Sequence, residues 1–164
     1  MTVRERHLQI GSRRIGPNEP CYVIAEIGVN HNGAIAIARQ LVDAAVEAGA
    51  DAVKFQKRKL NETYRQEILD QPRHGEQGLQ YLVPLLIEFE LSDDAFRELH
   101  AYCKARDIVF MCTPWDRSSV DFLETMHLDA YKIGSPDMTN FPLIEHVVAT
   151  GKPLPDSLIA RIIA

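Results

Sequence analysis

The sequence contains no long apolar run. None of its hydrophobic stretches approaches the roughly 20 consecutive apolar residues that a membrane-spanning helix needs, although 46% of the residues are hydrophobic. The opening segment, MTVRERHLQIGSRRIG, carries charges throughout and lacks the apolar core of a secretory signal. From the sequence alone we therefore expect neither membrane insertion nor secretion.

Cysteine is scarce. The three cysteines, Cys21, Cys103 and Cys112, form no CxxC pair and are odd in number. This spacing suggests neither a zinc ribbon nor a disulfide framework, because both need paired or clustered thiols. We therefore expect a protein of the reducing cytoplasm.

Basic residues are in the minority. Lys and Arg total 18 against 23 Asp and Glu, which gives a formal net charge of -5. A nucleic-acid surface needs clustered positive charge to bind phosphates, and the lysines here are scattered. The nucleotide-binding motifs GxGxxG and GxxxxGK[ST] are also absent. Small-molecule chemistry is therefore the better prediction.

What the sequence does contain is a regular alternation of strand and helix patterns. Residues 1–20 are predicted to form a hairpin around Gly11 and Ser12. Four apolar strand segments follow: CYVIAEIG, DAVKFQ, IVFMCT and AYKIGS. Helix patterns lie at 34–48, after the capping residues Ser92 and Asp116, and at 141–150. Such alternation predicts right-handed βαβ units around a parallel sheet, either closed into a barrel or doubly wound.

Polar side chains cluster where these strands end. The set comprises Glu26, Lys54, Gln56, Thr113, Lys132 and Ser135. The carboxyl ends of parallel strands are where βα enzymes bind their ligands. In VKFQ the apolar residues alternate with Lys54 and Gln56, so these two should share one face of the sheet. We expect Lys132 to lie opposite its apolar neighbours in the same way.

Two lysines at one end of the sheet require an anion, because a buried ammonium is costly without a partner. We therefore predict that Lys54 and Lys132 bind a polyanionic ligand with phosphate or carboxylate groups. The neutral donors that could orient this ligand are Gln56, Thr113 and Ser135. Glu26 would repel an anion, so we expect it to accept sugar hydroxyl groups or to transfer a proton.

Each of these residues could instead have a purely structural role. Lys54 could form an ion pair with Glu26, and Lys132 could likewise be structural. Thr113 could mark only the end of a strand before Pro114, and Ser135 before Pro136 could make an ordinary turn.

Three residues beside the predicted site fit structural roles best. His31, which lies between two asparagines and precedes Gly33 by two residues, fits a turn better than a metal site. Trp115 fits packing, and Asp116 fits a helix cap. We therefore assign none of the three to ligand binding.

Several motifs occur in a fixed order: AEIGVNHNG, AGADAVKFQ, FMCTPWD, YKIGS and TNFPLIEHVVATGKP. Together they resemble the sialic acid synthase family of phosphoenolpyruvate-condensing enzymes, over roughly Ile15 to Pro153. The resemblance implies a (β/α)8 TIM-type barrel domain. Within this chain it implies a hairpin at 1–20, about the first four βα units at 21–151, and an atypical tail at 152–164. It also implies a homodimer completed by a small antifreeze-like domain, which we expect to be absent from this chain.

The reaction that the resemblance implies joins C3 of phosphoenolpyruvate to the aldehyde of open-chain N-acetylmannosamine or a related amino sugar. Water then adds at C2 and phosphate leaves, which gives N-acetylneuraminate or another nonulosonate. A divalent metal, Mn²⁺ or Mg²⁺, polarises the aldehyde. The positions that match the phosphoenolpyruvate cradle are Lys54, Gln56, Thr113, Lys132 and Ser135. The position that matches the sugar-contacting group is Glu26.

Two departures from the family pattern bear on activity. Pro136-Asp137 replaces the usual Gly-Glu after KIGS, so we expect the acidic contact there to be displaced. After GKPL the tail PDSLIARIIA replaces the next strand, and the family's metal-binding histidines would follow later, so we expect a truncated chain without metal ligands. The second hypothesis is therefore a non-catalytic half-barrel fragment that needs a partner or self-association. A related aldol enzyme acting on a sugar phosphate would need further basic residues, which we cannot locate.

Overall fold

The computed structural model describes residues 7–74 and 78–154. Part of the predicted hairpin segment, residues 1–6, and most of the predicted tail, residues 155–164, lie outside these ranges. The strands are β1 (Leu8–Ile10), β2 (Arg13–Ile15), β3 (Ile24–Gly28), β4 (Ala52–Lys57) and β5 (Val109–Pro114). The helices are α1 (Ile35–Glu47), α2 (Leu60–Thr63), α3 (Gln66–Asp70), α4 (Leu79–Glu88), α5 (Asp93–Ala105), α6 (Arg117–Glu124) and α7 (Phe141–Val148).

Strands β1 and β2 form the antiparallel hairpin that the sequence predicts. Leu8 pairs with Ile15, and Gly11 makes the turn in the left-handed region with a φ of 56°. Ile10 is fully buried in a small cluster with Ala52 and Met111. The hairpin therefore packs on the part of the main sheet near the amino ends of its strands.

The main sheet is parallel, as predicted, with strand order β3-β4-β5. Glu26 on β3 pairs with Lys54 on β4, and Gln56 on β4 pairs with Thr113 on β5. The register between β3 and β4 shifts between Glu26 and Gly28. The polar residues predicted at the strand ends are thus brought into neighbouring positions by the sheet itself.

The predicted fourth strand, residues 130–135, is wrong as an extended strand. It makes a single parallel bridge, Cys112 to Tyr131, and the amide of Lys132 donates to the carbonyl of Cys112 at 3.2 Å. Beyond that point Ser135–Asp137 form a 3-10 turn. Pro136 has no N–H to donate to a ladder, and its fixed φ suits such a turn.

Helices α1, α5, α6 and α7 all pack on one face of the sheet. Val53, Phe55, Phe110 and Cys112 belong to one core cluster with residues from these helices. Phe55 and Phe110 stack at its centre, with ring centroids 5.0 Å apart and planes 16° apart. The cluster on the other face holds only hairpin, strand and loop residues and no helix residue, so the described residues do not form a doubly wound sheet, which carries helices on both faces.

Local signals place several helix ends. The Ser92 hydroxyl accepts from the amide of Ala95 at 3.2 Å and begins α5, as its capping residue type predicts. Gly49 follows α1 with a φ of 73°, as a left-handed helix stop requires. No helix within 7–74 or 78–154 has both the length and the hydropathy of a membrane span.

Candidate functional site

Four predicted site residues come together at the carboxyl ends of β3, β4 and β5. This strand-end site consists of Glu26, Lys54, Gln56 and Thr113. The Lys54 ammonium forms an ion pair with the Glu26 carboxylate and donates to the Thr113 hydroxyl at 3.3 Å. The structural alternative that the sequence left open for Lys54, an ion pair with Glu26, is therefore observed.

The two charges of this ion pair differ in exposure. The Lys54 side chain is 6% exposed, whereas that of Glu26 is 52% exposed. An ammonium removed from water needs an anion close by, and Glu26 supplies it from the open side. Glu26 can therefore also meet a ligand from solvent while Lys54 stays inside.

Alternation along β4 separates its polar and apolar side chains as predicted. Val53 and Phe55 belong to the core on the helix side, and Lys54 lies opposite them beside Glu26. Lys57, at the end of the strand, lies on the helix side. Its ammonium donates to the carbonyl of Leu91 at 3.3 Å, lies 2.9 Å from the Asp93 carboxylate and stands over the Phe96 ring.

Sequence reasoning missed Lys57, and its contacts are structural. It fixes the start of α5 to the end of β4, across 34 positions of sequence. A charged residue in the apolar register of a strand was the available signal. Its partners come from a distant segment and could not be inferred from the pattern.

Arg58 is a second residue that sequence reasoning missed. It is 8% exposed, and its guanidinium donates to Oε1 of Gln56. It also stands over the Trp115 ring, 4.7 Å from the ring centroid. Trp115, assigned only to packing, thus supports a cation beside the strand-end site.

Lys132 and Ser135 lie on the segment after α6. Lys132 is half-buried, and its neighbours Tyr131 and Ile133 belong to the helix-side core, in keeping with the predicted alternation. Ser135 is exposed and begins the 3-10 turn, so the structural possibility of a turn is observed there. This segment runs beside the strand-end site, because a Cβ added to Gly134 would lie 3.7 Å from Cγ2 of Thr113.

Asp137 ends the 3-10 turn that Ser135 begins. Its Oδ1 accepts a hydrogen bond from the side-chain nitrogen Nδ2 of Asn140 at 3.1 Å. Its Oδ2 is buried without a hydrogen-bond partner within the described residues. This oxygen lies 3.6 Å from the position of a Cβ on Gly134. The carboxylate therefore stays close to the turn that carries Ser135.

His31 is a turn residue, as predicted. It is buried, and its Nδ1 accepts from the amide of Gly33 at 3.1 Å. Burial lowers the pKa of His31, and a hydrogen bond with the Gly28 backbone partly opposes that shift. A neutral imidazole thus holds the turn after β3, which explains a histidine between two asparagines.

Asp116 is the predicted helix cap and does more. Its carboxylate accepts from the amide of Ser119 at 2.7 Å, at the start of α6. It also accepts from the amide of Lys59 at 2.6 Å, at the start of α2. One buried carboxylate therefore fixes the loops that follow β4 and β5 to each other.

Two cavities flank the sheet at its opposite ends. A cavity of about 20 Å³, room for about one water, borders the strand-end site and is lined by residues that include His31, Gln56 and Arg58. A cavity of about 640 Å³ lies at the amino ends of the strands. Asp51 within it is held by Arg13 and by the amide of Val23 at 2.6 Å. The Arg13–Asp51 ion pair attaches the hairpin to the start of β4.

The described residues do not fit a metal centre. No group of three or more His, Cys, Asp or Glu side chains within 7–74 and 78–154 is placed to hold an ion. A catalytic Zn²⁺-type or Mg²⁺-type site needs several such ligands.

The fold and the strand-end site define an α/β domain with a parallel sheet and polar groups at its strand ends. A sequence profile of the NeuB family matches residues 41–158. The chain belongs to the NeuB family.

Known relatives agree with this membership. The chain is 35% identical over 144 residues to N-acetylneuraminate-9-phosphate synthase from Mus musculus, covering 87% of this chain and 40% of the relative. It is 37% identical over 148 residues to N,N'-diacetyllegionaminic acid synthase from Legionella pneumophila, covering 88% of this chain and 41% of the relative. The chain thus spans about two fifths of the length of these relatives.

A solved structure supports the fold. The N-acetylneuraminic acid synthetase of Leptospira borgpetersenii, crystallised with citrate, superposes with a TM-score of 0.78 at 28% identity. The match covers 93% of this chain and 49% of that one. The parallel sheet and its helices therefore superpose on about half of that solved structure.

Proposed function

We propose that this chain provides the phosphoenolpyruvate-binding part of a nonulosonate synthase. In the proposed reaction, phosphoenolpyruvate condenses with N-acetylmannosamine or a related amino sugar, and phosphate is released. The observation that carries the proposal is the buried ammonium of Lys54 between Glu26 and Thr113 at the strand ends. The names of the relatives support the product class.

The proposed roles follow from charge and exposure. Lys54 and Lys132 balance the phosphate and carboxylate charges of phosphoenolpyruvate. The groups that orient it by neutral hydrogen bonds are Gln56, Thr113 and Ser135. Glu26, open to solvent on one side, accepts a hydroxyl of the amino sugar or a proton.

The proposal extends to the rest of the family architecture. The described sheet and helices form the wall of a (β/α)8 barrel, and the one-sided packing of helices supports that assignment. The activity then belongs to a complete barrel in a homodimer with the antifreeze-like domain. A divalent Mn²⁺ or Mg²⁺ would polarise the sugar aldehyde there. Three free cysteines agree with a reducing cytoplasm.

A second candidate is a non-catalytic half barrel that needs a partner or self-association. Within the described residues β3 pairs only with β4, so its other edge offers unpaired backbone groups. Such an edge favours pairing with another chain. This candidate predicts a folded complex without phosphate release.

The experiment is a phosphate-release assay on the purified chain with phosphoenolpyruvate, Mn²⁺ and N-acetylmannosamine, run beside a Lys54→Met variant. Because the activity is assigned to the complete barrel, the expected result is phosphoenolpyruvate binding by the wild-type chain, weakened in Lys54→Met, without phosphate release. A folded, homogeneous chain that binds phosphoenolpyruvate without releasing phosphate supports the binding role and leaves catalysis to the complete barrel. A folded chain that neither binds phosphoenolpyruvate nor releases phosphate contradicts the proposal.

A further inference from the structure

Arg58 is a buried cation that the proposed reaction does not use. Its side chain leaves the end of β4 two residues after Gln56 and is 8% exposed. The guanidinium donates to Oε1 of Gln56 and stands over Trp115, with its carbon 4.7 Å from the ring centroid. Both contacts hold the planar group in one place.

The contact with Arg58 decides which way the Gln56 amide faces. A glutamine amide has one accepting oxygen and one donating nitrogen, whereas arginine only donates. Oε1 of Gln56 must therefore face Arg58, and Nε2 must point away from it. A Cβ added to Gly28 would lie 3.3 Å from this Nε2 and 3.3 Å from Oε1 of Glu26. The N–H2 group thus borders the same space as the exposed carboxylate.

The charge of Arg58 is balanced by the protein itself. Burial lowers the pKa of Arg58, and the nearby acidic groups Glu90 and Asp116 are among those that oppose this shift. One of its nitrogens, Nη2, donates to Gln56, and its π-face covers Trp115. Arg58 is therefore arranged to hold a neighbour rather than to meet a ligand.

We propose that Arg58 is a positioning residue that fixes the Gln56 amide so that only its N–H2 group faces an anionic ligand at the strand-end site. Without Arg58 the amide can turn and present Oε1, which repels phosphate and carboxylate groups. The identity of the ligand as phosphoenolpyruvate rests on the proposed function. The orientation of the amide rests on the contacts of Arg58 alone.

A double-mutant cycle on the 164-residue chain tests this role through phosphoenolpyruvate titrations of the wild type, Arg58→Met, Gln56→Leu and the double variant. Arg58→Met should raise Kd about tenfold, the value of one lost hydrogen bond. In the Gln56→Leu background the same change should raise Kd less than about twofold, because Arg58 acts through Gln56. If the fold-changes in Kd of the two single variants multiply in the double variant, the two residues act independently and the proposal is overturned. If Arg58→Met does not fold, Arg58→Leu, which also removes the donor, takes its place in the cycle with the same requirement.

An NMR measurement on the free chain separates this proposal from the proposed function. The Gln56 side-chain amide signal, identified by its loss in Gln56→Leu, should shift in Arg58→Met. It should stay in place in Lys59→Met, which removes a neighbouring exposed cation. An unmoved signal in Arg58→Met overturns the positioning role. If the wild-type chain binds no phosphoenolpyruvate, the proposed function fails, and the amide signal alone decides on Arg58.

Discussion

Lys54 and Glu26 face each other across the pairing of β4 and β3, with the ammonium buried and the carboxylate half exposed. This arrangement makes the ion pair part of the fold and of the strand-end site together. A ligand that arrives from solvent meets the carboxylate first and finds the cation behind it. The two partners should therefore respond differently to substitution.

Glu26→Gln should destabilise the chain more than Lys54→Met. Removing the carboxylate leaves the buried ammonium unpaired. For a fully buried ion pair this loss costs several kcal/mol. Because Glu26 is half exposed, we expect a cost of about 1–2 kcal/mol here. Replacing Lys54 with an apolar side chain removes the buried charge itself, so the expected cost is below about 1 kcal/mol. Urea unfolding of both variants measures the difference. A larger loss for Lys54→Met would mean that its packing, not its charge, matters most.

Gly33→Ala should cost more than Gly49→Ala. Both glycines have a φ of 73°, so both substitutions carry the same left-handed strain, about 1–2 kcal/mol. A Cβ on Gly33 would lie 2.7 Å from the backbone oxygen of Glu88, whereas a Cβ on Gly49 has no atom within 4 Å. Thermal unfolding should show an additional loss for Gly33→Ala alone. Equal losses would contradict the close packing of the turn after β3 against α4.

The chain should lose stability as pH falls below about 6.5. Burial lowers the pKa of His31 from 6.5, and burial also lowers that of His100. The unfolded chain then binds more protons than the folded one just below pH 6.5. The contribution of the two histidines to the free energy of unfolding is fully present above that pH. It declines as the pH falls towards the lowered pKa values, by about 1.4 kcal/mol per unit of pKa shift.

Urea midpoints at pH 7.5 and 5.5 measure this decline. His31→Gln should reduce it, and the remaining decline belongs largely to His100. The same decline in His31→Gln as in the wild type would show that His31 does not titrate differently in the two states.

Of the three cysteines only Cys21 should react with a thiol reagent in the native chain. Cys21 is exposed, while Cys103 and Cys112 are buried. Burial raises the pKa of Cys103 to about 12 and also raises that of Cys112, and the thiolate is the reactive form. Mass spectrometry after alkylation should find one label per native chain and three after denaturation. Cys21→Ser should remove the native label.

The sequence predicted what depends on local pattern. The two-residue period along β4 placed Lys54 on the face opposite Val53 and Phe55, where the structure has it. Ser92 and Asp116 are caps because a cap acts within its own turn. The parallel sheet followed from the alternation of strand and helix patterns.

Contacts between distant segments could not be predicted in this way. Lys57 interrupts the apolar register of β4 because Leu91 and Asp93 supply its partners. The fourth strand failed because a short apolar segment does not reveal how many residues pair with its neighbour. Arg58 was overlooked because its role depends on the side chains of Gln56 and Trp115 together.

The most direct test of the account is a calorimetric titration of phosphoenolpyruvate into the wild-type chain, Lys54→Met and Lys59→Met. Lys59→Met removes an exposed cation a few residues away and controls for general charge. Saturable binding to the wild type and to Lys59→Met, with at least tenfold weaker binding to Lys54→Met, is the predicted result. Equal binding by all three proteins, or none by a folded wild-type chain, would contradict the assignment of the strand-end site.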